Sequence, residues 1–269
     1  VDEASMQDTD LDEDLRAFGK PILYVGDPGQ LPPVGDQLCN IMQRCDIILD
    51  KIHRQGEGSP IIQFSLGVRT NSWQNWGLGT YATSADKTSL VNIIDKKNHL
   101  NEPAIQQLKL DCDQVIVPYN KMRIAINQEV RSHKHFDSLI CVGDRIICLQ
   151  NNRERGVFNG QQHFVKEVRG LDREWDSVYL TTEDEVGRRY NLRALKQAFN
   201  GGDYTKVKFN RREVCVFDYA YAITCHKSQG SEWDKVLVIE AYAPPTLWEM
   251  KKWQYTAITR AAKELYYVR

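Results

Sequence analysis

The chain opens on Val-Asp-Glu-Ala-Ser, and Asp2 and Glu3 are the first residues whose types could do chemistry. Adjacent carboxylates can divide two tasks: one holds a hard divalent cation through oxygen, and the other polarises a water. The bland alternative is an acidic surface turn, since residues 2–14 carry seven acids and no base. Gln30 is the second candidate. It sits in "VGDPGQLPPVGD" (25–36), where an apolar run delivers Gly26 and Asp27 to a turn rich in Gly and Pro. A neutral amide at the C-terminal end of such a strand can hydrogen-bond a phosphate oxygen and an attacking water. Pro32 and Pro33 stiffen the chain just beyond it, so a displacement of Gln30 is passed on rather than absorbed.

Other reactive side chains point nowhere in particular. The seven cysteines are scattered, odd in number and without a CxxC pair, which reads as buried, reduced thiols rather than a disulfide framework or zinc ribbon. His133 and His135 in "HKH" have no Cys or carboxylate partner at ligand spacing, so they read as a solvated helix end. Net charge is −1, so overall charge does not announce a polyanionic partner. The distribution says more, because "GRRYNLRALK" and "KVKFNRRE" make the stretch 187–213 basic. No apolar run approaches the ~18 residues a bilayer span needs.

Elements must hold these residues in place. "PILYVGD" (21–27) and "DIILDKIHRQ" (46–55) read as buried strands of a parallel sheet covered on both faces. "SPIIQFSLGVR" (59–69) reads as a helix with Ser59 as cap, Pro60 at its first position and Ile61, Phe64 and Val68 on one side. "QVIVPYN" followed by "KMRIAINQEV" is a strand, a loop and a helix. Between 143 and 192, short strands separated by Gly, Asn and Asp turns, "FNGQ" among them, form a small antiparallel module set into an α/β chain. The α/β pattern resumes with "YAYAIT" (219–224), "KVLVIE" (235–240), a helix near 246–262 with a stripe of Leu247, Met250, Trp253, Ala257 and Ala261, and a closing strand "LYYV" (265–268).

Five segments in order, "VDEAS", "VGDPGQLPPVGD", "IHRQGEGSPIIQFSLGVR", "ITCHKSQGSEWDKVLVIE" and "YTAITRAAKELYYV", resemble the RecD/Dda-like superfamily 1 DNA helicases over nearly the whole chain. The resemblance implies an α/β, RecA-like P-loop NTPase fold. It comprises a partial first RecA-like lobe (1–51) and a complete second lobe of the UvrD-like C-terminal kind (52–142 and 213–269). An inserted SH3-like β module with a connector takes up 143–212. It further implies ATP and Mg²⁺ as cofactors, with Asp2 holding the metal, Glu3 polarising the attacking water and Gln30 sensing the γ-phosphate. Arg54 and Arg260 would neutralise charge on the transferred phosphoryl group, a task suited to the planar, always-charged guanidinium. Gly230 and Glu232 would lie near the nucleotide, with Glu232 accepting from the ribose. Tyr119, Asn120, Thr224 and His226 would face a nucleic-acid backbone. By itself His226 reads as a structural histidine; its place in the motif makes it a candidate.

The implied activity is ATP-dependent translocation on single-stranded DNA with strand separation, running 5′→3′. The implied partners are single strands and duplex junctions, with recombination or replication proteins as further candidates and no membrane. The implied location is the cytoplasm of a bacterial or phage-infected cell, at the nucleoid. The basic 187–213 stretch is a candidate lining for the DNA channel. One element departs from the pattern: no G-x-x-x-x-G-K-S/T occurs, so the backbone N–H cradle and lysine for phosphate are missing. The expectation is therefore a C-terminal part of a helicase that hydrolyses ATP negligibly on its own. Rival readings are an RNA-directed superfamily 1 helicase and a non-catalytic protein that keeps the fold to bind nucleic acid. Gln30, Arg54 and Arg260 argue against the latter, because binding alone needs none of them.

Overall fold

The computed structural model describes residues 1–33, 41–43, 45–49, 58–70, 72, 76–173, 175–241 and 246–269. Its helices are α1 (Thr9–Ala17), α2 (Pro60–Thr70), α3 (Glu102–Asp111), α4 (Asn120–His133) and α5 (Leu247–Ile258). Its strands are β1 (Tyr81–Thr83), β2 (Leu90–Ile94), β3 (Gln114–Val117), β4 (Arg145–Cys148), β5 (Gln162–Asp172), β6 (Ser177–Asp184), β7 (Arg189–Leu195), β8 (Val214–Cys215), β9 (Phe217–Tyr219), β10 (Ala222–Thr224), β11 (Trp233–Ile239) and β12 (Ala261–Val268). Packing gathers these into two units, 1–102 with 228–269, and 103–227.

In the first unit four strands lie in the order β1-β2-β12-β11, antiparallel at β1–β2 and parallel beyond. Val91, Ile93, Leu237, Val238 and Leu265 are buried on both faces of this parallel ladder, which is why the segments read as continuous apolar runs. α2 forms as expected, with Pro60 at its first position and Ile61, Phe64 and Val68 buried. Phe64 meets Trp76 at 5.0 Å and the edge of Tyr267 at 5.3 Å. α5 starts in a reciprocal cap: the Thr246 hydroxyl accepts from the Glu249 N–H and donates to the Glu249 carboxylate. Trp253 and Ala257 are fully buried, as the stripe predicted. The helix ends at Ile258, however, so Ala261 begins β12 instead of completing the stripe, and Leu247 is exposed. The sheet imposes that stop, because the Arg260 carbonyl already accepts from Trp233 N–H at 2.9 Å.

Two expected buried strands come out differently. Residues 21–27 are extended but not a regular strand, and Leu23 is 76% exposed. Their backbone partner among the described residues is the short segment at 1–4, and nothing described covers Leu23 or Val25. Residues 46–49 form no strand either, and Leu49 is 90% exposed; 50–55 lie outside the described residues.

The second unit pairs β3 with β10 in parallel and packs α4 against β10. It adds a six-stranded sheet in the order β8-β7-β6-β5-β4-β9, antiparallel except at β7–β8. The last two strands, 214–215 and 217–219, extend this sheet past residue 212 by pairing with β7 and β4. Buried amides tie the parts together. Asn127 donates to the Tyr219 and Ala222 carbonyls and accepts from Ala222 N–H, and Gln162 donates to Gln114. Each satisfies polar groups that would otherwise be buried unpaired. Arg131 grips the buried Asp144 through Nε and Nη2 at 2.9 and 3.1 Å.

Candidate functional sites in the two units

In the first unit the opening residues run beside 23–25 with the hydrogen bonds of parallel strands. The Val1 ammonium donates to Leu23 O (2.7 Å), Val25 N–H to Val1 O (2.8 Å) and Ala4 N–H to Val25 O (2.9 Å). Asp2–Glu3 and Gly26–Asp27 therefore stand at neighbouring chain ends. Asp2 is exposed, and its Oδ1 accepts from Glu3 N–H at 2.9 Å. Glu3 takes the left-handed conformation (φ 51°, ψ 40°), where a non-glycine residue is held at a cost of order 1 kcal/mol. That twist turns the chain into the 3₁₀ segment Ala4–Met6.

The turn at 27–31 is the most constrained part of the site. Asp27 Oδ1 accepts from Gly29 N–H (2.8 Å), and Gln30 N–H donates to Asp27 O (3.1 Å). Consecutive residues of α5 hold its two ends. Tyr255 Oη donates to Asp27 Oδ2 at 2.8 Å, and Thr256 Oγ1 accepts from Leu31 N–H at 2.9 Å. Gln229 Nε2 donates to Leu31 O at 2.9 Å. A Cβ at Gly29 would lie 3.0 Å from Tyr255 Cε1, so glycine is what lets the turn approach the ring. Between these anchors Gln30 is only 8% exposed, and its Oε1 has no hydrogen-bond partner. Burial first, and then the Asp27 carboxylate, push the Tyr255 phenol up to about 12, so it stays a donor.

Arg260 follows α5 directly and is 3% exposed. Its Nε donates to Thr256 O (3.0 Å), Nη1 to Ser231 O (3.0 Å) and Nη2 to Thr259 Oγ1 (3.1 Å). The guanidinium is thus cradled against the 228–231 turn, in which Gly230 has φ 77°, a value that favours glycine. Glu232 lies just ahead of β11. Three separated segments meet here: 27–31, 228–231 and 255–260. Arg54 lies outside the described residues.

The second unit holds the other candidates. Thr224 ends β10 opposite Val117, the last residue of β3, so both parallel strands finish at the start of α4. Tyr119 is the α4 N-cap, exposed and without a side-chain capping bond, and Asn120 is the first helical residue. A helix N-terminus beside the carboxyl ends of parallel strands presents N–H groups and a positive dipole end to an anion. His226 is half-buried, and burial depresses its pKa, so it is a neutral hydrogen-bonding group at pH 7. Lys227 donates to Asn159 of the "FNGQ" turn, next to Phe158, which is 53% exposed. Arg123 binds Asn120 Oδ1 through Nε (3.1 Å) and the buried Asp218 through Nη1 (2.7 Å).

The basic 187–213 stretch is partly spent within the sheet: Arg189 pairs with Glu183, Arg193 with Glu213 and Lys196 with Asp176. Sequence reasoning places Asp27 at the strand end without giving it a role, and passes over Gln229, Tyr255 and Thr256, and in the second unit Arg123 and Lys227. All but Arg123 lie inside the five motif segments, so position is a signal, but the contacts that give them roles cross up to 228 residues of sequence. Among the described residues the six cysteines are unbridged, four of them buried.

A magnesium ion with a nucleotide fits the first unit's donor chemistry. Magnesium takes one or two carboxylates and fills its shell from phosphate and water, and Asp2 offers an exposed carboxylate. The unpartnered Oε1 of Gln30 is an acceptor, which suits a water proton. Among the described residues no three His, Cys, Asp or Glu gather to hold a metal without such added ligands.

Residues 219–268 match the UvrD-like helicase C-terminal domain. The chain is 28% identical to the ATP-dependent RecD2 DNA helicase of Deinococcus radiodurans, an alignment covering 97% of this chain and 34% of that protein. It is 27% identical to the ATP-dependent DNA helicase Pif1 of Campylobacter jejuni over 56% of this chain and 36% of that one. The chain thus spans about a third of the length of these relatives. In fold it is similar to a Bacteroides Pif1 helicase solved in complex with ADP-AlF3 and ssDNA, with TM-score 0.57 and 18% identity, covering 99% of this chain and 69% of that one. Pif1 helicase from Candida albicans gives TM-score 0.54 at 15% identity, covering 100% and 71%.

Proposed function

We propose, from the premise that this chain resembles the C-terminal part of superfamily 1 helicases of the RecD2 and Pif1 kind, that it is the part of an ATP-driven DNA motor that senses nucleotide and grips a single strand. The observation that carries the reading is the buried Gln30 with its Oε1 unpartnered, next to Leu31, whose main chain is held by α5 and the 228–231 turn. In the proposed scheme Asp2 holds Mg²⁺, Glu3 polarises the attacking water, and Gln30 orients it. Mg²⁺ neutralises charge on the β and γ phosphates when bound. Arg260 and Arg54 stabilise the charge that develops on the transferred group, an effect typically worth about 10³–10⁵ in rate. Gly230 and Glu232 border the nucleotide.

Tyr119, Asn120, Thr224 and His226 take the backbone of the strand, where contacts need no base readout. The lobe division proposed here is 1–51 for the first lobe and 52–142 with 213–269 for the second, with 143–212 as an SH3-like module. Movement in the 5′→3′ sense, action at duplex junctions, work beside recombination or replication proteins, and a cytoplasmic, nucleoid-associated location belong to the same proposal. Among the described residues no helix is long and apolar enough to cross a membrane.

The test is strand binding by this chain together with turnover by a polypeptide that joins it to a phosphate-binding loop. This chain alone should bind labelled single-stranded DNA and hydrolyse ATP negligibly. The longer polypeptide should show ATP hydrolysis stimulated by DNA oligonucleotides. Stimulation by RNA and not DNA would move the substrate to RNA. Strand binding without any turnover in the longer polypeptide would leave a non-catalytic binding protein.

A further inference from the structure

Leu31, the residue after Gln30, is buried, and both of its main-chain groups are held by side chains distant in sequence. Thr256 Oγ1 takes its N–H at 2.9 Å and Gln229 Nε2 its C=O at 2.9 Å. The same two segments hold Arg260, but with their main chain. Thr256 O accepts from Arg260 Nε, and Ser231 O, two residues beyond Gln229, accepts from Nη1. Thr256 therefore contributes its hydroxyl to the Gln30 turn and its carbonyl to the arginine. Gln229 reaches the turn from inside the loop that cradles the guanidinium.

We infer that Thr256 and Gln229 are positioning residues that couple Gln30 to Arg260. The geometry makes the coupling mechanical. Arg260 donates to Thr256 O, Ser228 O, Ser231 O and Thr259 Oγ1, so a guanidinium drawn towards a phosphate oxygen pulls on these acceptors. Thr256 and the 228–231 turn then move, and Leu31 is hydrogen-bonded to both. Gln30 is one peptide away, and its displacement cannot be absorbed downstream because Pro32 and Pro33 come next. By linkage the effect runs both ways: a Gln30 turn ordered by its ligand favours one placement of Arg260. Tyr255, anchoring Asp27 at 2.8 Å, fixes the other end of the turn, so motion concentrates at Gln30 and Leu31. The inference rests on the proposed roles of Gln30 and Arg260, but the linkage itself is readable without nucleotide.

Two measurements test it. In this chain, amide hydrogen exchange is read at Leu31, with Val91 and Ile93 in the parallel sheet as internal references. Arg260→Lys should speed exchange at Leu31 by about tenfold or more, the loss of roughly one hydrogen bond's worth of protection, and leave the references unchanged. Thr256→Val should do the same directly, whereas Thr256→Ser, which keeps the hydroxyl, should not. An unchanged Leu31 in Arg260→Lys overturns the coupling, and so does a uniform change that includes the references. In the longer polypeptide with its phosphate-binding loop, Thr256→Val should lower DNA-stimulated kcat by about tenfold or more at constant KM for ATP, with Thr256→Ser near the parent. An equal loss in the Ser and Val variants, or a rise in KM with kcat intact, overturns it. Absence of turnover in the parent would instead refute the helicase reading, leaving the exchange result to decide the linkage.

Discussion

Replacing Asp218 with Asn should cost the second unit about 3 kcal/mol and loosen its grip on a strand. Asp218 is buried and accepts four hydrogen bonds: from Arg123 Nη1 (2.7 Å), Asn200 N–H (2.7 Å), Gly201 N–H (3.0 Å) and Tyr219 N–H (2.8 Å). Hydrogen bonds to a charged group contribute about 1.5–3 kcal/mol each, but the remaining amide oxygen keeps part of the set. Breaking a buried pair on one side costs about 3–5 kcal/mol, and the lower end applies because the Arg123 side chain keeps 12% exposure. The new NH₂ would also face a guanidinium, donor against donor. A ~3 kcal/mol loss lowers the midpoint of that unit's thermal transition by roughly 10 °C. Because Arg123 also holds Asn120, single-strand affinity measured well below the transition should fall as well. The assay is urea unfolding of the single variants and of Asp218→Asn with Arg123→Met. The double variant should cost clearly less than the sum of the singles. A cost under about 1 kcal/mol for Asp218→Asn, or strict additivity, would refute the reasoning.

Buried groups carry two further outcomes. His163 is fully buried between Tyr190 and Phe217, and burial lowers its pKa from 6.5 to about 4, with Asp184 opposing weakly. The unfolded chain therefore takes the proton first. This contribution, up to about 3 kcal/mol, is whole above pH 6.5 and is lost as pH falls towards 4; His163→Phe should flatten the pH dependence of urea midpoints in that window. Arg260→Ala should abolish hydrolysis in the longer polypeptide while sparing strand binding. It should also cost this chain about 1–3 kcal/mol, because buried carbonyls lose their donors, as read by thermal melting. Equal loss of DNA affinity would place Arg260 on the strand path.

Much of the fold is legible in the sequence because its signals are local. Pro60 ahead of an apolar stripe predicts α2, and alternation broken by Gly and Asn turns predicts the β4–β7 sheet. The apolar run at 21–27 misleads, since a run reports a residue's need for cover and not whether cover is present; Leu23 stays exposed. The helix expected near 246–262 is too long because the periodicity of Ala261 fits either element, and pairing with Trp233 puts it in a strand.

By itself the sequence determined the candidate chemistry: an ordered series of acids, an amide and arginines, each of a type whose charge and hydrogen-bonding capacity suit one step of phosphate chemistry. Which groups act on one another was decided only in three dimensions. Nothing within residues 25–36 says that Leu31 is held from residues 229 and 256, or that the Arg260 guanidinium rests on carbonyls of a distant turn. Such contacts join segments with no shared periodicity. They form because burying Leu31, Thr256 and Arg260 in one core makes an unpaired donor or acceptor costly, so these groups pair where the fold brings partners, and Gln30 Oε1 stands out as the exception.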